Sequence, residues 1–325
     1  MANGQPDAVA TLVYTPRQVS QYTYQVIAAR QTGGNVSPAI GLADLDAAMH
    51  APLPGELCIV MANTSHYKTG FMSFWAGQVA RRTPATAPDA PEQMVVYVSW
   101  ETAVEELGAM DFARTTGLSG AHIWHDSLDL DEMRLLQQAA NRREQLPIWI
   151  VGHSITRRHK RMPLTLARIT QALDAVEATY QRTAAMIFLD HLQEIDAGRG
   201  ADMRERTLNN VEAAKQLARD LGCPVVLGVQ ARRECLDRSW KLPDLGDGQE
   251  TSRIEQVADK VLTLWLPGKT ESRGAILERM AWPVTEDLLV LGIRKQRFGQ
   301  SGNILPLRVD FATNTIRQME VERME

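Results

Sequence analysis

The sequence predicts an α/β fold: a doubly wound, mostly parallel sheet with helices on both faces and a C-terminal β-hairpin. Three observations carry that expectation. Seven short apolar runs recur along the chain, starting at Leu57, Met94, Pro147, Ala185, Pro224, Lys260 and Leu288. They are continuous rather than alternating, as strands covered on both faces tend to be. Longer segments with apolar residues at steps of three and four separate them.

Taken in order, the first element lies ahead of the runs. In "TPRQVSQYTYQVIAARQTGG", Thr15 suits an N-cap, Pro16 the first helical position and Gly33-Gly34 a terminator. Val19, Tyr22 and Val26 make a narrow apolar stripe that suits either the chain's own core or a neighbouring subunit. "LCIVM" from Leu57 is the first strand, and a helix follows it. "MVVYVS" and "PIWIV" come next. Leu166, Ile169, Leu173, Val176 and Tyr180 then line one face of a helix before the strand "AMIFL". The helix from Arg204 to Leu221 stops at Gly222, with Pro224 beyond it. "PVVLGV", "KVLTLWL" and "LLVLGI" complete the runs. The alternating end, "NILPLRVDFATNTIRQME", turns at Thr313-Asn314 and reads as an antiparallel hairpin on the sheet edge.

Composition narrows the functional classes. The 325 residues carry a net charge of −4, which argues against a uniformly basic coat for nucleic acid but allows a local basic loop. Cys58, Cys223 and Cys235 are too widely spaced for a disulfide framework or metal knuckle, so they read as buried thiols of a reducing compartment. Arginines near Cys235 could lower its pKa. His153 and His159 have no acid or cysteine at metal spacing, and no zinc site is expected. The N-terminus has no signal-peptide layout and no run reaches membrane-spanning length, so a cytoplasmic protein without a membrane partner is expected. "RRHKR", Arg157–Arg161, reads as a solvated linker.

Ligands of such sheets bind beyond the carboxyl ends of the strands, and the residues there are rich in chemistry. The first strand runs through "NTSHYKTG", Asn63 to Gly70, which has the layout of a phosphate-binding loop with Lys68-Thr69 opening a helix. The second ends in Ser99-Trp100-Glu101, the fourth in Asp190-His191 and the fifth in Gln230. The last runs into "RKQRFG", with Lys295 and Arg297, and all these groups are expected to share one edge. Phosphoryl transfer from a nucleotide needs that set: a lysine and backbone N–H groups for phosphates, a hydroxyl and aspartate for Mg2+, a carboxylate for water, and an arginine for developing charge.

In this order the blocks resemble the RecA-like ATPase domain of the DnaB-type replicative helicases, from about Pro38 to about Ile316. "ELCIVMANTSHYKTGF" resembles that family's Walker A block, "VVYVSWET" its catalytic-glutamate strand and "AMIFLDHLQEI" its Walker B block. "LARDLGCPVVLGVQARRE", "SRIEQVADKVLTLW" and "GIRKQRFGQSGNI" resemble the remaining three. The resemblance implies that Asn63, Thr64, Ser65, His66, Tyr67, Lys68, Thr69 and Gly70 cradle ATP, with Thr69 and Asp190 on Mg2+. Glu101 would polarise the water and Gln230 sense the γ-phosphate. Lys295 and Arg297 would reach the next subunit's nucleotide, Arg297 as the finger, which implies a homo-oligomeric ring, normally a hexamer. Residues 51–325 would be the ATPase core, and residues 1–50 an extension whose helix, about 15–31, is the family's linker helix packing on a neighbour. Arg199, Arg204, Arg206, Arg232, Arg233 and Arg253 map to loops that would track single-stranded DNA in the ring channel.

Three departures qualify the likeness. Tyr67 stands where the family has glycine, so its side chain is expected to point outward from a strained turn, weakening nucleotide binding or changing the contacts on the base side. No collar domain, the family's primase-binding part, is expected ahead of the helix, which leaves a primase or loader partner unknown. Gly246 replaces a basic residue in the longer loop "GDGQETS". The leading expectation is an ATP-dependent DNA helicase or translocase of replication. The alternative is a nucleotide-binding scaffold or partner-recruiting ring with weak or no hydrolysis, and a recombinase- or clock-type protein of the same fold comes third.

Overall fold

The apolar runs pair into a nine-stranded sheet in a computed structural model of the chain, which describes residues 14–31, 38–83, 92–157, 164–195, 203–248, 253–297 and 299–319. Its strands are β1 (Leu57–Ala62), β2 (Glu92–Ser99), β3 (Ile148–Val151), β4 (Arg182–Asp190), β5 (Val225–Gln230) and β6 (Lys260–Trp265), joined later by β9 (Leu288–Gln296), β10 (Ile304–Asp310) and β11 (Thr315–Gln318). A separate ribbon, β7 (Ile276–Leu277) with β8 (Trp282–Pro283), went unread in the sequence because each strand has two residues. The helices are α1 (Pro16–Gln31), α2 (Ala43–Ala48), α3 (Lys68–Arg82), α4 (Val104–Thr116), α5 (Gly120–His125), α6 (Leu130–Glu144), α7 (Leu166–Tyr180), α8 (Met203–Asp220) and α9 (Arg253–Val257).

The chain divides into two compact units, Met1–Ser37 and Pro38–Glu325. In the first, α1 is capped reciprocally: Gln18 N–H donates to Thr15 Oγ1 at 3.3 Å, and Thr15 N–H donates to Gln18 Oε1 at 2.8 Å. Val19, Tyr22, Tyr24 and Ile27 of this helix are exposed. Gly33-Gly34 lies outside the described residues.

In the second unit the strand order is β11-β10-β9-β6-β1-β5-β4-β2-β3. The six strands from β6 to β3 are parallel, so their carboxyl ends share one edge. β1 lies between β5 and β6, where the order of winding reverses and the edge opens into a crevice. Alternation splits the core between two faces. One face carries Leu57, Ile59, Met61, Ile187 and Leu227 against Leu166, Ile169 and Leu173 of α7 and Val211 and Leu217 of α8. The other receives α3, whose Trp75 meets Phe188 edge to face at 5.6 Å, while Phe188 stacks on Tyr97 at 6.0 Å. Gly222, at φ 60°, ends the α8 segment as its position predicts.

One expectation is corrected here. β9 runs antiparallel to β6, pairing Lys260 with Gln296 and Trp265 with Val290. Lys295 and Arg297 therefore lie at the edge opposite the carboxyl ends of the parallel strands. An apolar run carries no mark of its own direction, which is why the sequence placed them wrongly. At that edge Lys295 Nζ donates to the carbonyls of Glu255 and Ala258, both at 2.7 Å, at the end of α9. Arg297 Nε comes within 3.0 Å of Asp259 Oδ1 without hydrogen-bond alignment. Asp259, itself 1% exposed, accepts the Leu57 N–H at 2.8 Å and Lys215 Nζ at 2.5 Å. Beneath it Lys260 faces Glu56 at 3.6 Å.

These buried polar groups should carry measurable stability. Asp259→Ala strands the Lys215 ammonium and the first N–H of the central strand, and should lower unfolding free energy by about 3 kcal/mol or more in urea titration; a loss below about 1 kcal/mol would contradict the network. His66 accepts the Leu266 N–H on Nδ1 at 3.0 Å, and burial, helped by Lys269, lowers its pKa to about 4. Unfolded histidine protonates first, near pH 6.5, so stability held at neutral pH is lost as pH falls from about 6.5 towards 4. His66→Gln should remove about one proton from that dependence, read as the slope of unfolding free energy against pH.

Candidate functional site

The loop between β1 and α3 keeps a phosphate-loop path without the usual glycine. Ser65 and Tyr67 both adopt left-handed backbone, at φ 65° and 68°, and Tyr67 is the N-cap of α3. A left-handed residue with a Cβ costs about 1–2 kcal/mol, so the loop must be held from outside. It is. Asn63 Nδ2 donates to Cys235 Sγ at 2.9 Å, Thr64 Oγ1 accepts from Gln230 Nε2 at 2.6 Å, and His66 is fixed to Leu266 beyond β6.

The Tyr67 ring does not point outward, as the sequence suggested. It folds over Gly70, one turn into α3, so closely that a Cβ there would sit 2.5 Å from Tyr67 Cζ. The ring also meets Phe311 edge to face at 5.4 Å, and its hydroxyl lies 3.4 Å from Asn314 Oδ1. Both partners belong to the turn between β10 and β11. Such an aromatic pair is worth about 0.5–1.5 kcal/mol, which offsets much of the backbone strain. Burial raises the Tyr67 phenol to about 12, so it stays neutral.

Lys68 opens α3 at its N-terminus, where unpaired N–H groups and the helix dipole favour an anion. Burial lowers its pKa, opposed by Asp190, Glu101 and Glu194, which places those carboxylates in its field. It forms no ion pair with a described carboxylate. Thr69 follows in the same turn. Asp190, at the end of β4 and 3% exposed, accepts the Tyr97 hydroxyl on Oδ2 at 2.9 Å, while its Oδ1 is buried with no hydrogen-bond partner. A bare buried carboxylate oxygen in the field of a lysine at a helix N-terminus is suited to a hard divalent cation or its waters. Gly228 of β5 keeps that space open, since a Cβ there would meet Asp190 Oδ1 at 3.3 Å.

Glu101 follows β2, which pairs Ser99 with Asp190, and its side chain is exposed. His191 Nδ1 lies 3.9 Å from Glu101 Oε2. Burial and Lys68 lower the His191 pKa to about 4, so near neutral pH this is a polar contact rather than an ion pair. Lys68, Thr69, Glu101, Asp190 and Gln230 thus gather at one edge, and Lys295 and Arg297 do not join them. Tyr97, His191 and Gln193, whose Oε1 accepts the Gln230 N–H at 3.2 Å, were missed as site residues. A tyrosine inside a buried apolar strand was the available signal for Tyr97, because its hydroxyl has to find a partner.

Of the arginines read as DNA contacts, Arg232 and Arg233 are exposed just beyond β5 and Arg206 is half-buried in α8. Arg199 and the side chains of Arg204 and Arg253 lie outside the described residues. Cys235 corrects another expectation: burial raises its pKa despite the nearby arginines. Among the described residues no helix is long and apolar enough to cross a membrane.

Comparison with known proteins bears on the fold and the family. The probable plasmid replicative DNA helicase of Chlamydia trachomatis is 25% identical over 171 residues, which take in 53% of this chain and 36% of that protein. The chain therefore spans well under two thirds of that relative. Among solved structures, one ATPase domain superposes with a TM-score of 0.75 at 18% identity, covering 95% of this chain and 100% of that one. A DnaB-like replicative helicase, described with its interactions with primase, gives 0.72 at 17% identity over 95% of this chain and 67% of that one. The DnaB-like helicase C terminal domain family matches residues 39–318, nearly the whole of the second unit, and the chain belongs to that family.

Proposed function

We propose that the chain is a Mg2+-dependent ATPase that assembles as a hexameric ring and translocates on single-stranded DNA during replication. One observation carries this reading. The phosphate-loop lysine, the aspartate and the glutamate gather at one edge of the sheet, while Lys295 and Arg297 lie at the other. A protomer whose exposed Arg297 lies away from its own phosphate loop can offer that arginine to the loop of another copy. The exposed apolar residues of α1 give such an assembly an arm to lay on a neighbour.

Within the site, Lys68 and the first N–H groups of α3 hold the β- and γ-phosphates. Thr69 and Asp190 would hold Mg2+, for which the bare Asp190 Oδ1 is the free oxygen. When bound, the cation would supply positive charge against the charge developing on the phosphates. Glu101 orients the attacking water and takes its proton, with neutral His191 limiting its motion. Gln230 ties the γ-phosphate side to Thr64 and to the loop carrying Arg232 and Arg233, which track the DNA backbone without reading bases. Arg297, 57% exposed, makes no aligned hydrogen bond to Asp259, which keeps Lys215, so its guanidinium can turn to the neighbour's nucleotide.

Phosphate release should rise on adding single-stranded DNA, and Lys68→Ala and Arg297→Ala should each lower it by about a thousandfold or more. Mixing the two inactive proteins should restore a measurable fraction, because some interfaces then join an intact loop to an intact arginine. No recovery in mixtures shown to exchange subunits would rule out action between copies. Rings that form with ATP but release no phosphate would instead favour the scaffold reading, for which Tyr67 over Gly70 is the motivating feature. The Tyr67 packing has its own test in a double-mutant cycle read by urea unfolding. Gly70→Ala should destabilise the wild-type chain by about 1–3 kcal/mol through overpacking. In a Tyr67→Gly background the same change should cost under about 0.5 kcal/mol, and plain additivity would refute the contact.

A further inference from the structure

A second basic site lies along the flank of α3, away from the phosphate loop. A cleft of about 530 Å3 opens between α3, α4, α6 and the edge strand β11. Its volume falls within the range of about 300–1,000 Å3 typical of small-molecule sites. Arg81, Arg114, Arg142, Arg143 and Arg317 line it, against one carboxylate, Asp111. Phe74, Phe112, Leu146 and Ile316 supply apolar wall. Along α3, Phe74 lies about 9 Å and Arg81 about 20 Å beyond Lys68, so the cleft and the phosphate loop are separate places.

The charges in the cleft are unbalanced. Asp111 is already committed to two guanidiniums, Arg114 Nη1 at 2.6 Å and Arg143 Nε at 3.2 Å. Arg114 is held further by the Asn314 carbonyl at 3.0 Å and lies over the Phe74 ring at 5.9 Å. Arg81 crowds the same spot: a Cβ on Gly77 would have Arg81 Nη1 at 3.3 Å and Arg114 Nη1 at 3.6 Å. Among the described residues no carboxylate forms an ion pair with Arg81, Arg142 or Arg317, all three exposed, although Asp310 lies in the field of Arg317. Arg143 Nη2 is buried with no hydrogen-bond partner. A fold gathers five guanidiniums around one spent carboxylate at an electrostatic penalty, which a bound anion relieves.

We infer that this cleft binds a small polyanion carrying two or more phosphate groups, of nucleotide size, at a site distinct from the phosphate loop. Guanidinium forks match phosphate oxygens in pairs, and several forks in one cleft select multiple phosphates over a single one. The apolar wall suits a ring or aliphatic body attached to them. The concave shape favours such a molecule over a nucleic-acid strand, whose evenly spaced phosphates suit an open groove.

Inorganic tripolyphosphate is the probe, titrated calorimetrically without divalent metal into the full chain. Wild-type protein should take up two equivalents, and Lys68→Ala should keep one. Adding Arg81→Ala, Arg142→Ala and Arg317→Ala to either protein should weaken that equivalent by about tenfold or more while leaving the melting temperature unlowered, because these side chains are exposed. Sulfate and orthophosphate should bind about tenfold or more weakly than tripolyphosphate at the same salt. The inference is overturned if wild-type protein takes up only one equivalent and Lys68→Ala takes up none, or if the triple-arginine change leaves binding intact. Equal binding of sulfate would overturn the multiple-phosphate class. An oligothymidylate that binds tighter than tripolyphosphate and displaces it in an arginine-dependent way would make the cleft a nucleic-acid track instead.

Discussion

β1 is paired along nearly its whole length to β5 on one side and to β6 on the other, and the site depends on that double pairing. A strand locked on both sides delivers its following loop to a fixed point. Its neighbours then deliver the groups that hold the loop there: Gln230 and Cys235 from the β5 side, and Leu266 from beyond β6. With these anchors, Ser65 and Tyr67 can keep left-handed backbone that neither would adopt alone. The glycine this turn usually needs is replaced by tertiary restraint.

The Tyr67 ring gives that restraint a further consequence. Lying between Gly70 and the turn of the β10–β11 hairpin, it ties the phosphate loop to the far end of the sheet. Arg114 reaches the same turn through the Asn314 carbonyl. The loop, the hairpin turn and the end of α4 therefore form one packed unit. A residue that read as damage to the loop is a structural member of its surroundings, and Gly70 is the small residue that admits it.

Reversal of β9 sets the other half of the arrangement. The parallel strands point their carboxyl ends at Lys68, so an antiparallel neighbour must carry its own C-terminal residues to the opposite edge. There Lys295 caps α9, and Arg297 meets the Asp259–Lys215 pair beneath the start of β1. The two edges have complementary chemistry. One has carboxylates around a lysine that pairs with none of them among the described residues. The other has Lys295 bonded to the end of α9 and an exposed Arg297. Within one protomer they cannot meet.

The sequence by itself determined the nine strands of the main sheet, their order of appearance and the residues at their ends. Continuous apolar runs, helical stripes and stop signals such as Gly222 are local, and each is written within about a dozen residues. Placing Lys68, Glu101 and Asp190 together followed from that pattern, because parallel strands share an edge whatever their order. Only the tertiary structure decided the direction of β9, since an apolar run reads alike from either end. Only it decided where the Tyr67 ring goes, because Phe311 and Asn314 lie more than two hundred residues away. The same holds for the five arginines of the α3 cleft, which come from four separate elements and acquire a common meaning when packing removes the distance between them.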